Sequence, residues 1–545
     1  MEHIEVLKTL KNNIDPKLIN TSTGKYYTHY AIATHLINSI ISAFEETGFI
    51  PNLISVIDPF AGDGRLIEIL IQSWINSKLP SVKWQVELWD INNDGLRKAE
   101  IKMDALRTAG TEINYNISNV DAFKAYRGKT NSYDIVLTNP PWEILKPDSR
   151  ELKGLDENSK KIYIESMKIY DSYLTLEFPS AQPLKKFAGW GTNLSRVGLE
   201  LSHKICKEKG YVGIVMPSTV FADEQSSKLR IQVFEGSELF DISFFPAEAK
   251  LFKGADVNSS TLVFKKGSAL NRNPLITIYN KDLEISTKEF LDTASSPQFL
   301  KNYSIPILLT SVTLKIFNKM SLDMVQWDQL EKLRGIGLWA GREIDETRRQ
   351  EWLCDKGNGL GFVKGSMVSR YELVEEPTQF VNIDDHVAPR SCKFARIAWR
   401  DVSRTTQKRR LIATIISAGT IAGNSLNVAF FIDGNTPALI SLLGIMNSLC
   451  FEFQLRQHLA TGHISLSSVR KVNIPTVKKL SENILLQNAV KSVGKVADAE
   501  HLVEAIVAKY VYGLTLDEFS ILILTFNKIT QIEKQNILLQ YENLA

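Results

Sequence analysis

Four consecutive residues, Asn139-Pro140-Pro141-Trp142, follow directly on the apolar run YDIVLT. The two prolines fix backbone dihedrals and donate no N–H, so the loop is stiff and presents acceptors. The Asn139 side-chain oxygen and the Pro140 carbonyl can both accept hydrogen bonds from one NH2 group, and Trp142 offers a flat face for a base. An aromatic amine needs this arrangement. Its lone pair is delocalised into the ring, and two acceptors pull the nitrogen toward tetrahedral geometry and localise that pair. They also stabilise the positive charge that develops as a methyl group transfers, an electrostatic effect of roughly 3–4 kcal/mol per hydrogen-bonding group. No covalent enzyme intermediate is required.

A second set of chemically capable residues lies upstream, at the ends of strand-like segments. Asp58-Pro59-Phe60-Ala61-Gly62-Asp63-Gly64 closes the β-branched run LISVI and opens the helical segment LIEILIQSWINS. Gly62 and Gly64 let a ligand approach the backbone, and the helix start offers free N–H groups. The segment WQVELWDIN carries Asp90 at its end, where an acid accepts from ribose hydroxyls in doubly wound nucleotide sites. INYNISNVDAF ends in Asp121 and Phe123, a carboxylate that can accept from an adenine amino group and a ring that can stack nearby.

These residues must be positioned by regular elements. Strand and helix patterns alternate through the first half, and GYVGIVMPS and SSTLVFKK supply further strands. The alternation predicts an α/β, doubly wound Rossmann-like sheet, with ligands at the carboxyl ends of its strands. The first domain is expected over residues 1–270. A connecting segment follows over 271–329, where GSALNRNPLITIYNKD is rich in turn residues. Gly-rich turns and short strands predict a second, mixed α+β domain over 330–475, and a helical region over 476–545.

At 545 residues the chain is too long for one ordinary core. Hydrophobic residues make up 44% and charged residues 23%, the balance of a soluble globular protein. No apolar run is long enough to span a membrane, and MEHIEVLKTLKNN lacks the features of a signal peptide, so a cytoplasmic location is expected. Cys206, Cys354, Cys392 and Cys450 are far apart and form no CxxC pair, so neither a metal site nor a disulfide framework is expected. Net charge is only +3, which excludes a simple polybasic binder. Between His386 and Arg410, however, eight cations face one acid, Asp401. The resulting local charge of about +7 suits a phosphate-binding stripe. Arg396, Arg400, Arg404, Lys408, Arg409 and Arg410 are its candidate contacts. Around it lie Trp339, Trp352, Tyr371, Phe394 and Trp399, with the amides Asn424 and Asn427. Arg can pair with guanine edges and Asn with adenine edges in a major groove.

Taken together, the Asp58–Gly64 and Asn139–Trp142 motifs resemble those of the amino-methyltransferases of DNA with motifs in the gamma order, typified by the TaqI modification enzyme. The resemblance covers residues 20 to 265. It implies an S-adenosyl-L-methionine cofactor held by the Asp58 motif, with Gly62 and Gly64 at the methionine end, Asp90 on the ribose, and Asp121 and Phe123 at the adenine. It further implies that Gly24-Lys25-Tyr26-Tyr27-Thr28 is the N-terminal cofactor motif, with Thr28 near the methionine carboxylate. The family usually has Pro after that Thr, whereas this chain has His29. GYVGIVMPSTVF and LFKGADVNSSTLVF resemble later strands of the same fold, which implies Phe252 as the ring facing Trp142 across the target base, with Phe244 or Phe245 as competitors.

RIAWRDVSRTTQKRRLIATII, NSLNVAFF and LLGIMNSLCFEFQLRQHL resemble the target recognition domains of longer adenine methylases in restriction–modification systems. The implied activity is methylation of adenine N6 in double-stranded DNA, on a base flipped out of the stack. A separately encoded restriction endonuclease fits as a partner, as does membership of a larger restriction complex. N4-cytosine methylation is the nearest alternative. Enzymes that methylate protein glutamine or an RNA base use similar loops but usually lack a large domain after the catalytic one. A fused nuclease would need clustered carboxylates and a Lys. Pro147-Asp148 and Glu151-Leu152-Lys153 are too closely spaced for that role. A DNA-binding protein with a relic fold is opposed by the intact Asn139–Trp142 loop.

Overall fold

A computed structural model describes residues 28–544, apart from 49, 148–151, 154, 185, 187–188, 253–256, 268–272, 295–298, 300–301, 306–309, 356–358, 384–386, 404–406 and 460–462. Gly24 to Tyr27, Asp148, Glu151 and Arg404 therefore lie outside the described residues. The chain forms two compact units, Met1–Thr310 and Ser311–Ala545.

In the first unit the elements run α1 (Tyr30–Thr47), β1 (Leu53–Asp58), α2 (Arg65–Ile75), β2 (Lys83–Asp90), α3 (Asn93–Thr108), β3 (Ile113–Asn119), α4 (Ala122–Ala125) and β4 (Tyr133–Thr138). They continue with α5 (Glu157–Glu177), α6 (Leu194–Ile205), β5 (Cys206–Pro217), α7 (Ser227–Phe234), β6 (Ser237–Phe245), β7 (Ser259–Lys266), β8 (Leu275–Tyr279) and β9 (Ile285–Phe290). The strands form one sheet in the order β3-β2-β1-β4-β5-β7-β6-β8-β9. From β3 to β5 all neighbours are parallel, and β7 runs antiparallel to both β5 and β6. Chain order reverses between β1 and β4, which opens a crevice at their carboxyl ends.

Local chemistry explains why the crevice has a fixed shape. Helix α1 buries Ile32, Leu36, Ile37, Ile40 and Phe44 at helical spacing. Its start is capped by His29, whose ring nitrogen accepts from the Ala31 N–H. Helix α2 opens at Gly64, whose φ of 72° is left-handed. A Cβ there would stand 2.7 Å from the Cβ of Ala99 on α3. Backbone conformation and close helix approach therefore both demand glycine.

Strands β8 and β9 revise the expected domain limits. The segment 271–329 is not a connector. Leu275–Tyr279 joins β6 in parallel and Ile285–Phe290 closes the sheet edge antiparallel to β8. The first unit runs to Thr310.

The second unit is mixed α+β, as expected. Its first short strand, β10 (Val325–Gln326), pairs antiparallel with its last, β19 (Asn473–Ile474). One four-stranded sheet contains β11 (Leu338–Gly341), β18 (Leu426–Phe431), β15 (Arg396–Arg400) and β16 (Ala413–Ile416). The other contains β12 (Leu353–Cys354), β14 (Phe380–Val381), β13 (Leu360–Val363) and β17 (Thr420–Ala422). The C-terminal helices belong to this same unit. A Cβ on Gly444 would meet Val490 Cγ2 at 2.6 Å, so the helices carrying them are in intimate contact. Among the described residues, no single helix is long and apolar enough to cross a membrane.

Candidate active site

The carboxyl ends of β1, β2, β3 and β4 bring the upstream acids and the Asn139 loop to one edge of the sheet. At the end of β1, Asp58 Oδ1 accepts from the Phe60 N–H at 3.0 Å and from the Thr138 hydroxyl at 2.6 Å. Thr138 is the last residue of β4, so this bond ties the glycine loop to the base of the Asn139 loop. At the end of β2, Asp90 uses one oxygen for the Gly62 N–H (2.8 Å) and the other for the Asn92 N–H (2.7 Å). Gly62 itself has a left-handed φ of 51°. Beyond β3, Asp121 caps α4 by accepting from the Phe123 N–H at 3.0 Å. Its other oxygen accepts from the Tyr170 hydroxyl of α5 at 2.9 Å. Burial raises the Asp121 carboxyl above the usual carboxylate range, and the Tyr170 bond opposes the shift.

Thr28 is buried, 6% exposed, and is drawn into this site twice. Its carbonyl accepts from the Arg65 guanidinium at 2.9 Å, and its hydroxyl accepts from the Asn139 side-chain N–H at 3.1 Å. That orientation turns Asn139 Oδ1 the other way, where it accepts from the Trp142 indole N–H at 3.1 Å. The Trp142 and Phe252 rings meet at 4.4 Å between centroids, tilted by 59°. Sequence reasoning named Phe252 with two competitors. All three are buried; Phe252 is the one in ring contact with Trp142, whereas Phe245 stacks on Tyr279 and Phe244 packs edge-on to Phe221. Phe123 is also buried, packed against Phe60 of the Asp58 loop and against Phe178.

Three participants were not singled out from the sequence. Arg65 and Thr138 stand directly beside the recognised motifs, and that adjacency was a usable signal. Tyr170 had none, since it sits on a helix separated from Asp121 by 49 residues.

Asp58 gives the site a titratable centre. Burial pushes its carboxyl up from 3.8 to about 7, and the nearby Asp90 and Asp63 charges add to the shift. An acid with a folded pKa above its unfolded value binds its proton more tightly in the fold. The stability it contributes is full below the unfolded value of 3.8 and is lost as the pH rises to about 7. Asp58→Asn, which keeps an acceptor for Thr138 and Phe60, is expected to flatten the decline of Tm across that window. A variant that keeps the wild-type slope would assign the decline to another group.

In the second unit the basic stripe is corrected. The Arg396 side chain is fully buried and pairs with the equally buried Glu343 at 2.6 Å. It also donates to the carbonyls of Phe394, Ser417 and Thr420. Arg409 is 6% exposed and pairs with Glu504 at 2.6 Å, and Arg410 is 8% exposed. Arg400 donates to the Val368 carbonyl at 2.8 Å, and partial burial lowers its pKa. Lys408 does reach solvent, but it pairs with Glu533. Trp399 is wholly buried, and buried Asn427 donates to Asp401 at 3.1 Å. Arg396, Arg409 and Arg410 are therefore buried inside the unit and cannot face a phosphate, whereas Lys408 stays on the surface.

Sheet order and switch point define a doubly wound, Rossmann-like fold. No protein-family model and no curated protein matches the sequence. Among solved structures, the type IIL restriction–modification enzyme MmeI, in complex with DNA, matches 98% of this chain and 80% of its own at 12% identity, with a TM-score of 0.54. A putative class I S-adenosylmethionine-dependent methyltransferase from Listeria monocytogenes matches 55% of this chain and 76% of its own, at 14% identity and a TM-score of 0.34. The methyltransferase subunit of a type I restriction–modification system from Streptococcus thermophilus matches 51% and 53%, at 18% identity and a TM-score of 0.34. The likeness to MmeI establishes the fold and nothing finer.

Proposed function

We propose that this chain is a site-specific DNA methyltransferase of a restriction–modification system that uses S-adenosyl-L-methionine to methylate N6 of a flipped adenine. The observation that carries this reading is the placement of Asn139. Its amide lies between Thr28 and the Trp142–Phe252 ring pair, on the same sheet edge as Asp58, Asp90 and Asp121. That set fits the cofactor. Acceptor-only carboxylates at β2 and β3 match ribose hydroxyls and an adenine amino group, and the left-handed turn at Gly62 is the backbone that would meet the methionine end. When bound, the cofactor supplies an electrophilic methyl group.

The residues of the chain then have distinct tasks. Asn139 Oδ1 grips the target amine together with the Pro140 carbonyl. The indole N–H that now fills Oδ1 must yield to the amine. Trp142 and Phe252, now in contact, must part to about 7 Å to admit a base between them. Thr28 fixes the Asn139 amide so that its oxygen, not its nitrogen, faces the target. In the second unit, the exposed cations Arg334, Arg342, Arg348, Arg349, Arg390, Lys393 and Lys408 are the candidates for phosphates and base edges, and Arg342, Arg348, Arg349 and Lys408 would exchange their carboxylate partners Asp401, Asp345, Glu351 and Glu533 for them.

Two experiments test the reading. Incubation with methyl-labelled cofactor and mixed duplex DNA is expected to give labelled N6-methyladenine after hydrolysis. Label in N4-methylcytosine would shift the specificity, and the absence of label in any base would end the proposal. Asp90→Ala should weaken cofactor binding by tenfold or more, since loss of the charged acceptor also frees the Gly62 loop, a cost of roughly 1.5–3 kcal/mol. Calorimetric titration giving wild-type cofactor affinity would remove Asp90 from the site.

A further inference from the structure

The segment Thr192–Gly198 leads into and opens α6, and it is stapled to the Asn139 loop at several points. Leu194 N–H donates to the Glu143 carbonyl at 2.9 Å, and Leu145 N–H donates to the Thr192 carbonyl at 2.8 Å. Ile144 and Asn193 form an antiparallel bridge. The Asn193 side chain caps α6 by accepting from the Ser195 and Arg196 N–H groups. One turn further on, Gly198 faces Pro140. A Cβ at Gly198 would lie 2.3 Å from Pro140 Cβ, 2.8 Å from Pro140 Cγ and 3.6 Å from Phe60.

Glycine inside a helix is locally unfavourable relative to alanine, by roughly 1 kcal/mol. It sits here between fully buried Val197 and Leu199, on a helix anchored to the core. The shortfall from ordinary carbon–carbon contact, 3.5–4.0 Å, is on the order of 1 Å or more. A proline ring cannot relieve it by rotating away. We infer that Gly198 is a positioning residue that sets how far Pro140, and with it Asn139 and Trp142, stands from the helix. The α6 N-terminus is thus the gauge for the loop that grips the amine. The inference deepens the proposed function and rests on it for the nature of the reaction.

Gly198→Ala tests it. Alanine favours the helix, so the clash is expected to displace the loop. A shift of about 1 Å at a reacting group can cost on the order of 100-fold in turnover. The expected result is that loss in kcat, with cofactor affinity and DNA KM within about threefold of wild type. A direct structural readout accompanies it. In protein labelled with 5-fluorotryptophan, the Trp142 resonance, assigned by its absence from Trp142→Phe, should shift in Gly198→Ala while the core tryptophan signals stay in place. The variant Gly198→Ala/Pro140→Gly removes the clashing ring. Relative to Pro140→Gly alone, the added alanine should cost less than about threefold. An unmoved Trp142 resonance, or a cost that is the same in both backgrounds, would overturn the inference. Should Gly198→Ala fail to fold, recovery of cofactor binding in the double variant supports the contact, and no recovery refutes it. Failure of wild-type protein to methylate DNA would instead refute the function, and the fluorine signal would still decide the contact.

Discussion

Replacing Asn139 with alanine is expected to lower kcat by at least 100- to 1,000-fold, while cofactor affinity changes by less than about threefold. On the proposed function, the variant removes the acceptor aimed at the target amine. It also releases two neighbours, because Thr28 loses the donor it holds at 3.1 Å and the Trp142 indole loses its acceptor at 3.1 Å. Asp90 and Asp121, the acids proposed to hold the cofactor, keep their own partners, Gly62, Asn92, Phe123 and Tyr170. Binding and chemistry should therefore separate. Single-turnover kinetics beside calorimetric titration would measure both. Asn139→Asp keeps an oxygen at the same place and should retain more turnover than alanine. An alanine variant that turns over within tenfold of wild type would mean that another group grips the amine.

The second large effect falls on stability. Arg396→Met leaves Glu343 buried without its cation, in a site where both side chains are fully inaccessible. Breaking a buried pair from one side costs about 3–5 kcal/mol. For a unit of this size that corresponds to a fall in Tm on the order of 10 °C. Removing both charges, as Arg396→Met/Glu343→Leu, should recover part of the loss, because an apolar pair has no orphaned charge. Calorimetric melting of wild type, both single variants Arg396→Met and Glu343→Leu, and the double variant completes the cycle. The folded single variant should also keep the wild-type salt dependence of DNA binding, whereas loss of a phosphate contact would lower the slope by about 0.9. A reduced slope with unchanged Tm would reinstate Arg396 as a phosphate contact.

Arg396 shows where reading the chain by position fails. A cation in a sequence states its charge and leaves its partner open. Glu343 lies 53 residues before Arg396, and Glu504 lies 95 residues after Arg409. Neither distance leaves a local trace, so the cluster read as a surface. The same limit hid β9. Its residues, ISTKEF, are partly buried to exposed along an edge strand and lack the apolar alternation that marks a buried one. Helix α5 escaped too. Its N-cap, Asp156, bonds two N–H groups, but the helix is predominantly polar, and its contribution to the site is a single hydroxyl on Asp121.

The placement of the candidate site residues was largely legible. Asp58, Asp90, Asp121 and Asn139 each stand at or just beyond a strand end, and a parallel sheet delivers all such ends to one edge. Order along the chain was enough to collect them, because the topology that collects them follows from alternation alone. Glycine and proline could be assigned for a similar reason, since their constraints are intrinsic to the residue.

What the amino-acid order determined by itself was therefore the parallel half of the sheet, the edge on which its strand ends fall and the stiffness of the Asn139 loop. Tertiary structure alone decided which way the Asn139 amide turns, which phenylalanine meets Trp142, and which cations are buried. Those outcomes depend on contacts between residues far apart in the chain. Such contacts are set by packing and by pairing of buried charge, neither of which is written in any one segment.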